Sequence, residues 1–504
     1  MQLIDLPLLV YSGALLVLCA YGLHRLVHLI RLLRGKRWQA VEATGEPLVL
    51  VQIPLFNERS VAARVIAAAA SLDWPRQRLH IQVLDDSGDD TVLVVEQEVA
   101  RWRERGVRIE VLRRSEREGF KAGALAAGLE ASDAPFVAIF DADFMPKPDY
   151  LRRCMGAFNE PDVGLVQARW QHHNRDQSLF TRAQATLLDG HFVIEHQARF
   201  GVGLCFNFNG TAGIWRREAI TDAGGWSGET LTEDLDLSYR SQMAGWRFVY
   251  AWDVVVPAEL PMDAAAFLAQ QARWARGSVQ VLRKLGKPLA ASNLPRANKL
   301  EAFGHLLGNA GQPALLALCL SLPFVAQLRA AWLGPLQWVA LVLCTLSVIL
   351  FYETSQRMVG RPLRKRVPDV LAAMALGIGL CVRQTRAVTL GLFGGRGVFE
   401  RTPKCGAEER SPYRARSVGA GWIELCLAAM YLWTALQALL AGSFGALPFL
   451  GLFVWGFGWV GLRTRREARQ AAPRSTQELS VPTASKLPEA SMTEDLSGRA
   501  RKVP

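Results

Sequence analysis

Cysteine is scarce in this chain and never clustered. Its eight cysteines stand singly among 504 residues, with no CxxC and no metal-ligand spacing, which removes zinc-ribbon and thioredoxin-like readings. Cys19, Cys319, Cys344 and Cys426 fall in long apolar runs, where a thiol is simply a small apolar group, and scattered thiols accord with a reducing compartment for the polar part of the chain. No period of 20–50 residues repeats, which excludes solenoids and propellers. The histidines, including His172-His173 and His191 with His196, show no convincing metal face. A basic stretch is also missing ahead of the first apolar run: only Asp5 precedes LPLLVYSGALLVLCAYGL, residues 6–23. A secretory signal needs such a stretch, so this run predicts an uncleaved membrane helix; 18 helical residues reach roughly 27 Å, about one bilayer core.

Acidic residues are nearly absent from three short connections. Further apolar runs lie at about 303–327, 331–352, 421–441 and 445–462. Arg31, Arg34, Lys36 and Arg37 follow the first span; Arg357, Arg361, Arg364, Lys365 and Arg366 follow the third; Arg463, Arg465, Arg466 and Arg469 follow the fifth, with Glu467 the one acid among them. The net charge of +12 is thus topological and no nucleic-acid signature. By the positive-inside rule the N-terminus lies outside and everything between spans one and two is cytoplasmic. Residues 366–394 hold an apolar run too short to cross and predict an interfacial or re-entrant segment, with a short sixth span as the alternative; residues 465–504 predict a disordered tail. The partition is a first transmembrane helix (1–32), a cytoplasmic domain (40–290), helices two and three (300–355), a cytoplasmic basic loop (356–420), helices four and five (421–464) and the tail. A multi-pass protein in contact with membrane lipids follows, and the Arg- and Ala-rich composition suggests a bacterial inner membrane.

Within 40–290 the pattern is α/β. LVLVQIPLF (48–56), HIQVLDD (80–86), VRIEVLRR and PFVAIFDADF alternate with helical segments every 25–30 residues, which predicts a doubly wound, mostly parallel sheet. Ligands bind beyond the carboxyl ends of such strands, where Asn57, Glu58, Asp85, Asp86, Asp141 and Asp143 stand. Asp141 and Asp143 have only Ala142 between them, so on an extended chain both point to one spot and repel unless a cation sits there. Solvated acids capping the next helix are the plain alternative; at a strand end the pair can hold Mg2+ or Mn2+, which take carboxylate and phosphate oxygens. Asp85 and Asp86 suit hydrogen bonds from a base or ribose, or an Asx-turn. Lys121, in REGFKAGAL, lies near a helix start that favours phosphate, or is a surface lysine.

LTEDLDLSYR places Thr232 as an N-cap ahead of Glu233, Asp234 and Asp236, one of which could be a general base held near the metal yet off it. In QQARW, Gln270, Arg273 and Trp274 share one helical face: an amide, a guanidinium suited to diphosphate and an aromatic plate for a sugar. An amphipathic interfacial helix would explain that face as well. FNFNGTAGIWRREAI (206–220) is a glycine-spaced loop in which Asn209, Gly210 and Thr211 could line an acceptor groove.

DD, DAD, TED and QQARW, in this order and spacing, resemble the processive family 2 glycosyltransferases, the cellulose and hyaluronan synthase group. VQIPLFNER, LDWP, IQVLDDS, REGFKAGAL, GLVQARW, FNGTAGIWR and GGW look closer still to the plant cellulose-synthase-like A and C proteins, which make mannan or glucomannan and the glucan backbone of xyloglucan. The resemblance is dense over about 48–285. It implies a glycosyltransferase A-type domain on the cytoplasmic face, with UDP-glucose or GDP-mannose as donor. Asp85 and Asp86 would contact the nucleotide, with Asn57, Glu58 and Lys121 on the same side; Asp141 and Asp143 would take the diphosphate and its metal. Asp234, beside Glu233, would be the base, and Gln270, Arg273 and Trp274 would hold diphosphate and acceptor. Residues 366–394 would border a polymer channel, with FERTPK (399–404) beside it. Five spans rather than the eight of cellulose synthase, and no cyclic-dinucleotide sensor after the last, argue against a large channel and against that form of control. The expected activity is an inverting, metal-dependent β-glycosyltransferase extending a β-1,4-linked glucan or mannan. A glycolipid synthase of the same chemistry is the alternative; a catalytically silent membrane scaffold would need no clustered acids.

Overall fold

The computed structural model describes residues 5–325, 334–395 and 421–471. Seven strands, β1 (Val49–Leu55), β2 (Leu79–Asp85), β3 (Ile109–Leu112), β4 (Phe136–Ile139), β5 (Val163–His172), β6 (Gly213–Arg216) and β7 (Arg247–Ala258), form one sheet in the order β3-β2-β1-β4-β6-β5-β7. All neighbouring pairs are parallel except those of β6, which runs antiparallel to β4 and β5. The expected doubly wound, mostly parallel sheet is present.

The central strands read as continuous apolar runs because both faces are covered. Val49, Val51 and Ile53 pack on one face with helices α2 (Arg59–Ala70) and α3 (Thr91–Glu104). Leu50 packs on the other, under α4 (Phe120–Glu130). Gln52 is fully buried on that second face, where its amide donates to Gln82 and to the Leu125 carbonyl. A polar group in the core is tolerable only when paired in this way. After β4, Phe140, Ala142 and Phe144 stay buried while Asp141 and Asp143 alternate with them. Both carboxylates nevertheless reach one cavity, Asp141 half-buried and Asp143 buried.

Four short helices follow β4: α5 (Tyr150–Cys154), α6 (Leu179–Asp189), α7 (His196–Gly201) and α8 (Arg217–Thr221), with a π-helical turn at Gly190–Glu195 between α6 and α7. Then come α9 (Glu233–Met243), the long α10 (Ala264–Ala291) and α11 (Arg296–Leu306).

The membrane part consists of α1 (Asp5–Arg34), α12 (Gly311–Val325), α13 (Gly334–Met358), α14 (Leu363–Phe393), α15 (Trp422–Leu440) and α16 (Leu447–Ala471). Six helices among the described residues are therefore long and apolar enough to cross a membrane, as in an integral membrane protein. The second expected span, 303–327, starts later, because α11 ends at Leu306 and a 3-10 turn intervenes.

Residues 366–394 are not the short segment that their unbroken apolar run suggested. α14 is one continuous 31-residue helix. Its polar residues do not break it because distant partners receive them: buried Asp369 forms an ion pair with Arg182 of α6 at 2.9 Å and accepts from Arg361 at 3.0 Å, and Arg383 reaches Glu424 of α15 at 3.3 Å. Helical structure also persists into the expected tail, to Ala471. FERTPK and residues 472–504 lie outside the described residues.

Candidate active site

One cavity opens beyond the carboxyl ends of β1, β2 and β4. Glu58, Asp86, Lys121, Asp141, Asp143, Asn209, Gly210, Glu233, Asp234, Gln270, Arg273 and Trp274 all line it. Twelve of the fifteen sequence-predicted site residues thus meet in one place, from segments up to 216 residues apart in the chain. The other three, Asn57, Asp85 and Thr211, brace the cavity without lining it. Asp85 is buried; its carboxylate accepts from the Ser87 amide at 3.1 Å, an Asx-turn, and from Arg113 at 3.2 Å. Asp86, one residue on, turns toward the cavity and pairs with Arg114 at 2.5 Å. Asn57 is in the left-handed region (φ 54°) and accepts from the Gly88 amide, joining the ends of β1 and β2. The Thr211 hydroxyl accepts from the Asp141 amide at 2.9 Å and so fixes that backbone rather than lining an acceptor groove.

Phe120 and Ala212 share the left-handed conformation with Asn57, the three non-glycine cases among the described residues. All three flank the cavity, as backbone strain tends to do at functional sites.

Lys121 answers to the acids more than to a helix terminus. Its ammonium donates to Asp141 at 2.5 Å and to the Gly210 carbonyl at 2.8 Å, with Glu233 3.9 Å away. Burial opposes its charge, but Asp141 and Glu233 more than offset this and hold its pKa above the ordinary lysine value. Gly210 (φ 81°) sits where a Cβ would lie 3.1 Å from Asp234 Oδ2 and 3.3 Å from Lys121 Nζ. Only glycine lets this loop run so close to both.

Asp234 stands at the start of α9, facing Lys121 across Gly210. Burial, then the neighbouring Glu233 charge, pushes its pKa up to about 7, against the opposing pull of Lys121 and Arg273. Asp236 is excluded as a rival base: it is fully buried and paired with Arg240 at 2.6 Å and Lys284 at 3.0 Å. Thr232 holds the N-cap position of α9 but makes no side-chain cap bond. It packs instead against Gly277 of α10, where a Cβ would approach it to 2.4 Å. Gly277 and the Lys284–Asp236 pair thereby lock α10, which carries Gln270, Arg273 and Trp274, onto the helix that carries Asp234. The N-terminus of α10 is held from elsewhere: both oxygens of Glu467 in α16 accept its first amides, from Ala264 at 2.9 Å and Ala265 at 3.1 Å.

Asp141 and Asp143 offer hard oxygen donors into one cavity, and Asp143 Oδ2 is oriented by the Glu259 amide at 3.2 Å. Buried Glu259 lines the same space. This donor set fits Mg2+ or Mn2+. Glu259 was not foreseen, nor were Arg117, whose guanidinium stacks 3.2 Å over the Phe56 ring beside Asp86, Trp170 and His172. Glu259 and His172 follow or end β7 and β5, so the strand-end rule would have found both once those strands were assigned.

A second, larger cavity of about 530 Å³ begins at Asp234, Asn209 and Trp274 and runs among the membrane helices, past Leu15 and Tyr21 of α1, Leu315 of α12, Cys344 of α13, Gly377 of α14 and Phe453 of α16. So large a space was not expected from five spans. It exists because α14 packs alongside the others and joins the wall.

The matched segment, residues 47–277, fits the family described as glycosyltransferase like family 2. That segment resembles a family 2 glycosyltransferase domain. Over 244 residues the chain is 49% identical to glucomannan 4-beta-mannosyltransferase 2 of Arabidopsis thaliana, covering 47% of this chain and 46% of that protein. It is 47% identical over 244 residues to glucomannan 4-beta-mannosyltransferase 1 of Oryza sativa subsp. japonica, covering 47% of each. The chain thus spans about half the length of the curated relatives it matches. The resemblance to the plant cellulose-synthase-like A group holds. Since these relatives are plant proteins, they lend nothing to the expected bacterial inner membrane. Among solved structures, mannosyltransferase PcManGT from Pyrobaculum calidifontis, in complex with GDP-Man and Mn2+, superposes with a TM-score of 0.52 at 21% identity, covering 78% of this chain and 99% of that one. That likeness establishes the fold of the glycosyltransferase domain.

Proposed function

We propose that the protein is a membrane-embedded inverting mannosyltransferase that extends a β-1,4-linked mannan or glucomannan from GDP-mannose. The convergence of Asp86, Asp141, Asp143, Asp234, Arg273 and Trp274 on one cavity carries this reading. The names of the curated relatives favour mannosyl over glucosyl transfer, which supports GDP-mannose over UDP-glucose as the donor.

Asp86 and the Arg117–Phe56 stack bound the nucleotide end, and Arg273 and Gln270 take the diphosphate. A divalent ion held by Asp141 and Asp143 would neutralise charge on the departing diphosphate. Asp234 removes the proton from an acceptor hydroxyl stacked near Trp274; that oxygen forms the new bond to the anomeric carbon as the bond to the diphosphate oxygen breaks, and the configuration inverts. The larger cavity receives the lengthening product, since it starts at the same Asp234 and Trp274. Purified protein in lipid nanodiscs, offered a panel of labelled nucleotide sugars, is expected to use GDP-mannose and give a polymer cleaved by endo-β-1,4-mannanase. A product of one sugar on lipid would replace polymer extension by glycolipid synthesis.

The cytoplasmic face is the proposed location of the catalytic domain, with α14 lying along the interface against α6 and α10. Tags at the C-terminus and at residue 290 are then both expected on the cytoplasmic side, with the N-terminus outside. A C-terminus opposite to residue 290 would mean that α14 crosses.

A further inference from the structure

A chain of hydrogen bonds runs from the π-helical turn to the acceptor side of the site. Glu195 Oε2 lies 3.2 Å from His191 Nδ1, His191 Nε2 lies 2.9 Å from Asn209 Nδ2, and Asn209 Oδ1 lies 2.6 Å from His196 Nε2. With both imidazoles neutral, one assignment of hydrogens satisfies all three links. A carboxylate accepts only, so His191 carries its proton on Nδ1 and its Nε2 accepts from the Asn209 amide nitrogen. His196 closes the other end. It is fully buried, and its Nδ1 has no partner among the described residues. A proton there would leave a buried N–H unsatisfied, so the proton sits on Nε2 and is donated to Asn209 Oδ1. Burial, reinforced by His191 and Arg199, holds the His196 pKa well below the ordinary value, which keeps this ring neutral. Turning the Asn209 amide over would set the bare Nδ1 of His191 against the Glu195 carboxylate.

The rest of the chain makes this setting rigid. Arg199 donates to Glu195 at 3.3 Å and to buried Glu301 of α11 at 3.0 Å, and Glu301 is met by Arg31, His24 and His28 of α1. The grouping of His24, His28 and Glu301 has the spacing of a cation site, but two guanidiniums already hold that carboxylate. Single π-helical turns inside helices occur disproportionately at functional sites, and this one carries both Glu195 and His191.

Asn209 lines both cavities, and His191 lines the membrane-side one. The oxygen of Asn209 is taken by His196 and one amide hydrogen by His191, which leaves the second hydrogen of an amide that lines both cavities free to donate. Resting on the mannosyltransferase reading above, we propose that Glu195 and His191 are positioning residues that hold Asn209 as a hydrogen-bond donor to the attacking sugar hydroxyl. The hydroxyl oxygen then accepts from Asn209, and its own proton is left for Asp234, whose Oδ2 lies against the adjacent Gly210. In the opposite orientation the Asn209 oxygen would compete with Asp234 for that proton.

The test uses the full-length protein in nanodiscs with GDP-mannose and β-1,4-mannotetraose. Glu195→Gln, which no longer dictates the His191 tautomer, and His191→Ala are each expected to raise the mannotetraose KM about tenfold, the worth of one hydrogen bond. GDP-mannose affinity by calorimetry should stay at the wild-type value. His191→Gln, whose side-chain oxygen can take the Asn209 N–H, should recover most of the acceptor affinity. A merely structural role would move donor affinity, acceptor KM and Tm together, without rescue by glutamine, and would overturn the proposal. In wild type at pH 8, above the ordinary histidine range, 15N spectra should place the His191 proton on Nδ1; a proton on Nε2 would overturn it whatever the variants do. If wild-type protein turned over no GDP-mannose, both readings would fall, a result distinct from unchanged acceptor KM in an active enzyme, which removes only the positioning role.

Discussion

Asp234→Asn is expected to bind GDP-mannose like wild type and to transfer mannose about 10²–10⁴-fold more slowly, the usual cost of removing a general base. The asparagine keeps the size of the side chain and can still accept from the Leu235 amide, as Asp234 does at 2.8 Å, so the fold has no reason to change. Its loss is felt only as the hydroxyl gives up its proton. The pH dependence follows from the same group. With its pKa pushed up to about 7 by burial and then by Glu233, Asp234 is protonated and idle below that pH, so the rate rises as pH passes through about 7 and then levels. Glu233→Gln removes the neighbouring anion, which favours the charged form of Asp234 and moves the limb to lower pH. A limb that stays in place in that variant, or an Asp234→Asn enzyme that no longer binds donor, would assign Asp234 to donor binding and leave the base unidentified.

Chelation is expected to have the second large effect. A divalent ion at a leaving diphosphate contributes several kcal/mol, and each ~1.4 kcal/mol is tenfold in rate, so excess EDTA should lower turnover about a thousandfold or more, with recovery on adding Mn2+ or Mg2+. Asp143→Asn should lose as much and not recover. Its amide oxygen can still accept from the Glu259 backbone as the carboxylate does, so the turn that presents Asp141 is preserved while one charged metal donor is removed. Undiminished transfer in EDTA would take the ion out of the mechanism.

Much of this site is legible in the sequence because its parts are local. An apolar strand that ends on Asp-Ala-Asp, and a helix that spaces Gln270, Arg273 and Trp274 by three and four, carry their geometry with them. What could not be read depends on partners far along the chain. Asp85 and Asp86 are adjacent, yet one is consumed by Arg113 and its own turn while the other reaches the cavity; nothing local separates them. The length of α14 was hidden for the same reason. Asp369 and Arg383 look like interruptions until Arg182 and Glu424 are brought to them by folding. The clamp on Asn209 was invisible because His191 and His196 lack a metal pattern, and their value lies in which ring nitrogen holds a proton.

The contact between Glu467 and the first amides of α10 has a consequence for how the enzyme is made. Ribosomes deliver the QQARW segment some 200 residues before the carboxylate that closes its helix. An uncapped helix start costs about 1 kcal/mol, so until then the first turn of α10 is its weakly held end. Its first amides are capped only when α16 has folded and brought Glu467 to Ala264 and Ala265. The helix that carries Gln270, Arg273 and Trp274 is thus finished at its start by the last membrane helix, which ties the catalytic face to the bundle.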